Sequence, residues 1–118
     1  MMAVIWKPVA EDERGVTAIE FALVAPAFLT LIVAVMNVSL LGMSVASLHY
    51  AVEEGARCAS VRQVCPEPKS RYFAPGPPPA FTLSAAACGS LLSGTVTFNL
   101  NAVLIRRSIQ LSATSCYP

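Results

Sequence analysis

From Phe21 to Val52 no position is charged, and nearly every residue is apolar or small. An uncharged apolar run of this length predicts a transmembrane-type helix. Pro26, Gly42 and, further on, Gly55 are the only breaks from ordinary helix formers. One long helix is therefore expected from Ala18 to about Arg62. It would span roughly 65 Å, far more than a bilayer requires. Phe21–Leu48, the stretch assigned to lipid, would reach about 42 Å against a hydrocarbon core of about 30 Å. The surplus must tilt or emerge. His49 and Tyr50 mark the expected interface. Val52 to Val61 then reads as an amphipathic extension, with Glu53, Glu54, Arg57 and Arg62 on its wet side.

Cys65-Pro66 ends the helical pattern, because the residue before a proline is pushed out of the α region. Pro75-Gly76-Pro77-Pro78-Pro79 predicts a stiff extended spacer, with a proline-rich ligand as the alternative. Beyond it the period changes to two. Phe81-Thr82-Leu83 opens a strand and Ala87-Cys88-Gly89-Ser90 supplies a turn. Thr95–Leu100 places Val96, Phe98 and Leu100 on one face, and Ser108–Ala113 does the same with Ile109, Leu111 and Ala113. Ser84–Ser93 fits strand-turn-strand or a short alanine-rich helix, and we take the former. The expected fold is α+β: one long N-terminal transmembrane or amphipathic helix followed by a small disulfide-bonded antiparallel sheet. By region this gives a leader over 1–15, the helix over 16–64, a Pro-rich loop over 65–80 and a β-domain over 81–118. The apolar faces of the strands need a cover, and the C-terminal end of the helix is the nearest one.

Composition narrows the function. Hydrophobic residues make up 55% and charged ones 13%, with a net charge of +1, which leaves no basis for binding nucleic acid. Mean hydropathy is +0.61, carried mainly by the one segment. A secretory signal peptide would have an apolar core of about 7–15 residues, and this run is much longer. The positive-inside count is a draw, with Lys7 and Arg14 before the span and Arg57 and Arg62 after it. All four cysteines, Cys58, Cys65, Cys88 and Cys116, follow the span, and an even set in a small domain fits an oxidising compartment such as the periplasm. If the last two strands form a meander, Cys88 lies toward Cys116, and Cys58 pairs with Cys65 across the helix end. That second bridge requires the helix to stop short of Cys65, since seven helical residues span about 10.5 Å. The two helix-to-sheet pairings remain open. No CxxC spacing points to zinc, and no metal or cofactor is expected.

The strongest local signal precedes the apolar run. In Gly15-Val16-Thr17-Ala18-Ile19-Glu20-Phe21 a single carboxylate stands at the lip of a membrane-length segment. An acid in a first turn complements the helix dipole, yet at a membrane helix centre it costs about 2.5–3.5 kcal/mol. Cutting the chain after Gly15 would create an amine at Val16, four residues from Glu20 on one helical face. This arrangement resembles the cleavage site of Flp/Tad prepilins. Gly15–Pro26 as a whole is similar to the start of the TadE-like pseudopilins. Glu54-Gly55-Ala56-Arg57-Cys58-Ala59 resembles a second block of that family, and Leu111–Pro118 its ending. The acidic leader and the compact C-terminal domain depart from the family's usual pattern. The resemblance implies cleavage by a prepilin peptidase between Gly15 and Val16, with Glu20 and Phe21 serving recognition and assembly. It also implies N-methylation of the new amine, a cytoplasmic N-terminus in the bacterial inner membrane, and partnership with other pilins and the Tad assembly machinery in adhesion and surface colonisation. The runner-up is an uncleaved single-pass periplasmic scaffold, separated from the first reading by the identity of the mature N-terminus.

The remaining features are weaker. Pro26 is either a tolerated membrane proline or a helix kink that helps filament packing. Gly42 and Ala46 form a small-xxx-small pair, read here as small residues in a membrane helix. His49 is an interfacial side chain, badly spaced for a catalytic pair with Cys58. Arg106-Arg107 is a solvated turn or a partner contact. No phosphate loop, carboxylate pair or nucleophile triad is present, so no enzyme is expected; a membrane-anchored thiol enzyme is the distant third reading.

Overall fold

A chain without helix-breaking clusters through its apolar run propagates a single helix, and α1 extends unbroken over Glu13–Val61 in the computed structural model. The structure describes residues 13–62, 64–102 and 104–118. The expected leader lies outside the described residues up to Asp12. Its last residues, including Gly15, belong to α1, which begins ahead of the expected Ala18. Pro26 lies inside the helix without ending it. The molecule is drawn out to 91 × 23 × 22 Å.

α1 stops at Val61, four residues before Cys65, with Arg62 N–H closing the last turn on Cys58 O at 2.8 Å. The early stop lets the chain double back. Cys58 and Cys65 are joined by a disulfide with their Cα atoms 5.9 Å apart, closer than a continued helix permits. A short 3₁₀ turn over Pro68–Arg71 and the proline-rich segment then lead to three strands: β1 Ala80–Ala86, β2 Gly89–Asn101 and β3 Arg106–Tyr117. They form an antiparallel meander in the order β1-β2-β3. Strand-turn-strand therefore holds over Ser84–Ser93. Gly89 sits at φ 124°, a backbone conformation that side chains resist, directly after the Ala87-Cys88 turn. In the meander Leu91 faces Cys116, so Cys88 lies beside the end of β3, and the second disulfide joins Cys88 to Cys116.

The sheet closes on α1 along a stripe at helical spacing. Ser44, Ser47, Leu48, Ala51, Val52 and Ala56 are buried there. The core consists of Leu48, Val52 and Ala56 against Leu92, Val96 and Ala113, with Tyr72, Phe81 and Leu111 packed around it. Two glycines set the helix–sheet distance. A Cβ on Gly55 would collide with Leu92 Cδ2, and one on Gly94 would lie 2.7 Å from Phe81 Cε1 and 2.9 Å from Val52 Cγ2. The buried hydroxyls of Ser44 and Ser47 donate to Leu40 O and Ser44 O at 3.0 and 3.2 Å, which relieves the cost of burying them. The sheet thus occupies part of the stretch assigned to lipid, since Ser44, Ser47 and Leu48 lie under it.

Candidate processing and assembly helix

The first turns of α1 hold the residues singled out from the sequence. Gly15 and Val16 lie within the helix and Glu20 stands one turn beyond Val16, a spacing that brings the two side chains to one face. Val16, Ile19, Glu20 and Phe21 are all exposed, and among the described residues nothing beyond the local helix backbone lies within 4 Å of where a Gly15 side chain would begin. Pro26 withholds one amide hydrogen from the helix ladder, leaving the carbonyl one turn earlier without its usual donor.

From Phe21 to Met36 all the apolar side chains but Ala25 and Val33, which are partly covered, are bare. Phe21 is 73% and Leu23 74% exposed, with Val24, Phe28, Leu29, Leu31, Val35 and Met36 in the same state. A continuous uncovered apolar surface of this kind marks a binding surface or a membrane contact. The helix is long and apolar enough to cross a membrane, and none of its most apolar window is buried, unlike the core helix of a soluble protein. Polar side chains on this stretch and just past its end turn back onto the helix. Thr30 Oγ1 donates to Ala27 O, Asn37 Nδ2 to Val33 O and Ser39 Oγ to Val35 O, each at 2.8 Å. Their donors are satisfied without water, as a lipid environment requires.

The second sequence block, Glu54–Ala59, combines the expected Cys58–Cys65 bridge with contacts that the sequence did not reveal. Glu54 Oε2 meets Arg71 Nη1 of the 3₁₀ turn at 3.5 Å, Gly55 and Ala56 admit the sheet, and Cys58 carries the disulfide to Cys65. The block clasps the helix end to the domain. Gly42 and Ala46, by contrast, are exposed on the uncovered side, and among the described residues a Gly42 side chain would meet nothing beyond its own helix within 4 Å. His49 and Tyr50 are exposed on the helix as well.

Residues 15–57 match the model of the TadE-like protein family. This segment is TadE-like. The match begins at Gly15, runs the length of the bare helix and ends inside the clasp, so it covers most of α1 and leaves the sheet outside. No curated protein and no solved structure matches the chain. TadE-like proteins are structural components associated with the Tad pilus. The geometry offers apolar surface and disulfide-braced packing; among the described residues no cluster of three or more His, Cys, Asp or Glu side chains is placed to hold a metal ion.

Proposed function

We propose that this chain is a TadE-like minor pilin, or pseudopilin, that takes part in assembling a Flp/Tad pilus used for adhesion and surface colonisation. α1 crosses the bacterial inner membrane with the N-terminus in the cytoplasm and the sheet in the periplasm, where its two disulfides form. The observation that carries this reading is the bare apolar stretch beginning directly after Gly15 and ending where the sheet takes over the helix.

Cleavage by a prepilin peptidase between Gly15 and Val16 needs the local backbone extended. The bond lies in the first turn of α1, where the amide hydrogens lack helical partners and the helix is easiest to open. Glycine there lowers the cost further, since it is about 1 kcal/mol poorer in a helix than alanine. The cut frees an amine at Val16, one turn from Glu20. That amine, on the same subunit or a neighbouring one, neutralises the carboxylate when the helix leaves lipid and packs among other pilins. The bare surface is then buried a second time, against protein instead of acyl chains, with Pro26 providing a place for the helix to bend.

N-terminal sequencing of protein extracted from membranes of cells carrying the peptidase tests the reading. The expected first residue is Val16. A mature chain starting at Met1 would leave an uncleaved anchored scaffold as the better description. Gly15→Leu should remain membrane-inserted and uncut, because the residue before the scissile bond must fit closely against the protease. A shift to mature mass in that variant removes the cleavage hypothesis.

A further inference from the structure

β2 descends along α1 toward the bare segment. Near its start Leu92 packs at Gly55, and at its end Asn101 O accepts a hydrogen bond from Asn37 Nδ2 at 3.3 Å. Gly55 to Asn37 is about 27 Å of helix, and Leu92 to Asn101 is about 30 Å of strand. Helix and strand therefore run side by side, and the β2–β3 tip comes level with Asn37. Val16 to Met36, the uncovered stretch on the other side of Asn37, is about 31 Å long, the thickness of a bilayer's hydrocarbon core. With that stretch in lipid, the tip stands at the headgroups.

The tip is made for such a place. Ala102 and Ile105 exchange backbone hydrogen bonds of 2.9 and 3.2 Å, which closes the turn and puts Leu104 at its apex. Leu104 is 93% and Ile105 53% exposed, with no core to fill. Arg106 and Arg107 follow, both exposed. Their register partners, Asn101 and Leu100, put them on opposite faces of the sheet, one on either side of the apex. From Ala80 to Pro118 these two arginines are the only charged side chains. All of the sheet's charge is thus positive and gathered at its end nearest the bare helix. Asn99, Asn101, Arg106 and Ser108 line a shallow concavity beside it.

The geometry points to the β2–β3 tip as a second membrane contact, in which Leu104 and Ile105 enter the acyl boundary of an anionic phospholipid leaflet while Arg106 and Arg107 bind its phosphates. Guanidinium groups match phosphate oxygens, and their aliphatic stems tolerate the apolar boundary beneath. Two attachments fix what a lone helix leaves free: the depth of the span and the rotation of the domain about it. The inference rests on the reading that residues 16–36 lie in lipid.

The test uses the full chain carrying Trp6→Phe, which removes its single tryptophan, reconstituted in vesicles of phosphatidylcholine and phosphatidylglycerol. Single tryptophans are introduced by Phe28→Trp, Leu104→Trp or Thr114→Trp, and lipids brominated on their acyl chains serve as quenchers. Quenching is expected for Phe28→Trp and Leu104→Trp and not for Thr114→Trp at the far end of β3. Adding Arg106→Gln and Arg107→Gln should cut the Leu104→Trp quenching by about half or more in phosphatidylglycerol-containing vesicles. Quenching of Phe28→Trp without that of Leu104→Trp overturns the proposal and leaves the membrane span standing. Absence of both defeats the membrane reading itself. Unchanged quenching in the arginine variant removes the phosphate contact, and a Leu104→Trp signal that responds to protein density but not to bromine assigns the tip to a neighbouring copy instead.

Discussion

The two halves of α1 meet opposite demands: one leaves its large apolar side chains uncovered, the other buries small ones under the sheet. Upstream of Asn37 the helix displays phenylalanine, leucine, valine and isoleucine around its circumference, and nothing among the described residues covers them. Downstream, the stripe under the sheet is built largely from Ser44, Ser47, Ala51, Gly55 and Ala56, with Leu48 and Val52 as its only large members. The larger side chains are outside and the smaller ones inside. Burial on this helix is thus a matter of size: small residues let β2 approach closely, while large ones wait for lipid or for other subunits. One helix thus makes an internal contact in one half and offers an external surface in the other.

The sharpest way to break that comparison is to put one charge in each half. Leu48→Asp buries an unpaired carboxylate in the helix–sheet core and removes a large apolar side chain. Loss of about 4 kcal/mol or more of domain stability is expected, enough to undock the sheet. Leu31→Asp should leave the domain intact and instead cost about 2.5–3.5 kcal/mol of membrane insertion. Urea titration in detergent, followed by circular dichroism, reads the first effect; the membrane-inserted fraction on expression reads the second. Equal damage to the sheet from both variants would show that the halves are not separate.

Much of the architecture is legible in the sequence, and each exception has its own cause. The helix follows from an apolar run with no terminator before Cys65-Pro66, and the later strands from the alternation of Val96, Phe98 and Leu100 and of Ile109, Leu111 and Ala113. The meander inferred from them brings Cys88 to Cys116, the bridge present in the structure. The docking register was not legible. The run has little periodic contrast, and the polar residues that fall on the docked face, Asn37, Ser44 and Ser47, are ordinary in a membrane helix as well. Small residues carry the only trace. Gly42 with Ala46 and Gly55 with Ala56 look alike as letters, yet only the second pair meets the sheet. The strands also run further than their clear alternation, since Leu91 to Gly94 mixes polar and apolar positions without a clean period. The Glu54–Arg71 contact depends on a loop path that local pattern does not encode.

Those two glycines sharpen the comparison at intermediate cost. Gly55→Ala places a methyl group against Leu92, and overpacking of a fitted core typically costs about 1–3 kcal/mol. Gly42→Ala meets open space on the same helix and should gain about 0.5–1 kcal/mol from helix propensity. The same substitution thus carries opposite signs thirteen residues apart. Both are measurable as shifts in the urea midpoint of the oxidised protein. A stabilising Gly55→Ala would mean that Leu92 finds another rotamer and that the close approach is not tuned by this glycine.

The smallest expected effect belongs to the ion pair in the clasp. Glu54 and Arg71 meet at 3.5 Å with side chains 36% and 37% exposed. Pairs this wet contribute about 0.2–1 kcal/mol, because water screens the attraction and two long side chains lose freedom. The neighbouring Cys58–Cys65 bridge also shapes the chain that returns from the helix end to the 3₁₀ turn, so part of the ordering cost is already met and the pair should be near the favourable end of that range. A double-mutant cycle with Glu54→Gln and Arg71→Gln, run at low and high salt, isolates the coupling from the other contacts of each residue. The coupling should shrink as salt rises, since both groups face solvent. If it instead exceeds 1 kcal/mol and resists salt, the pair is more protected from water than its exposure indicates, and the clasp would hold by charge as well as by packing and the disulfide.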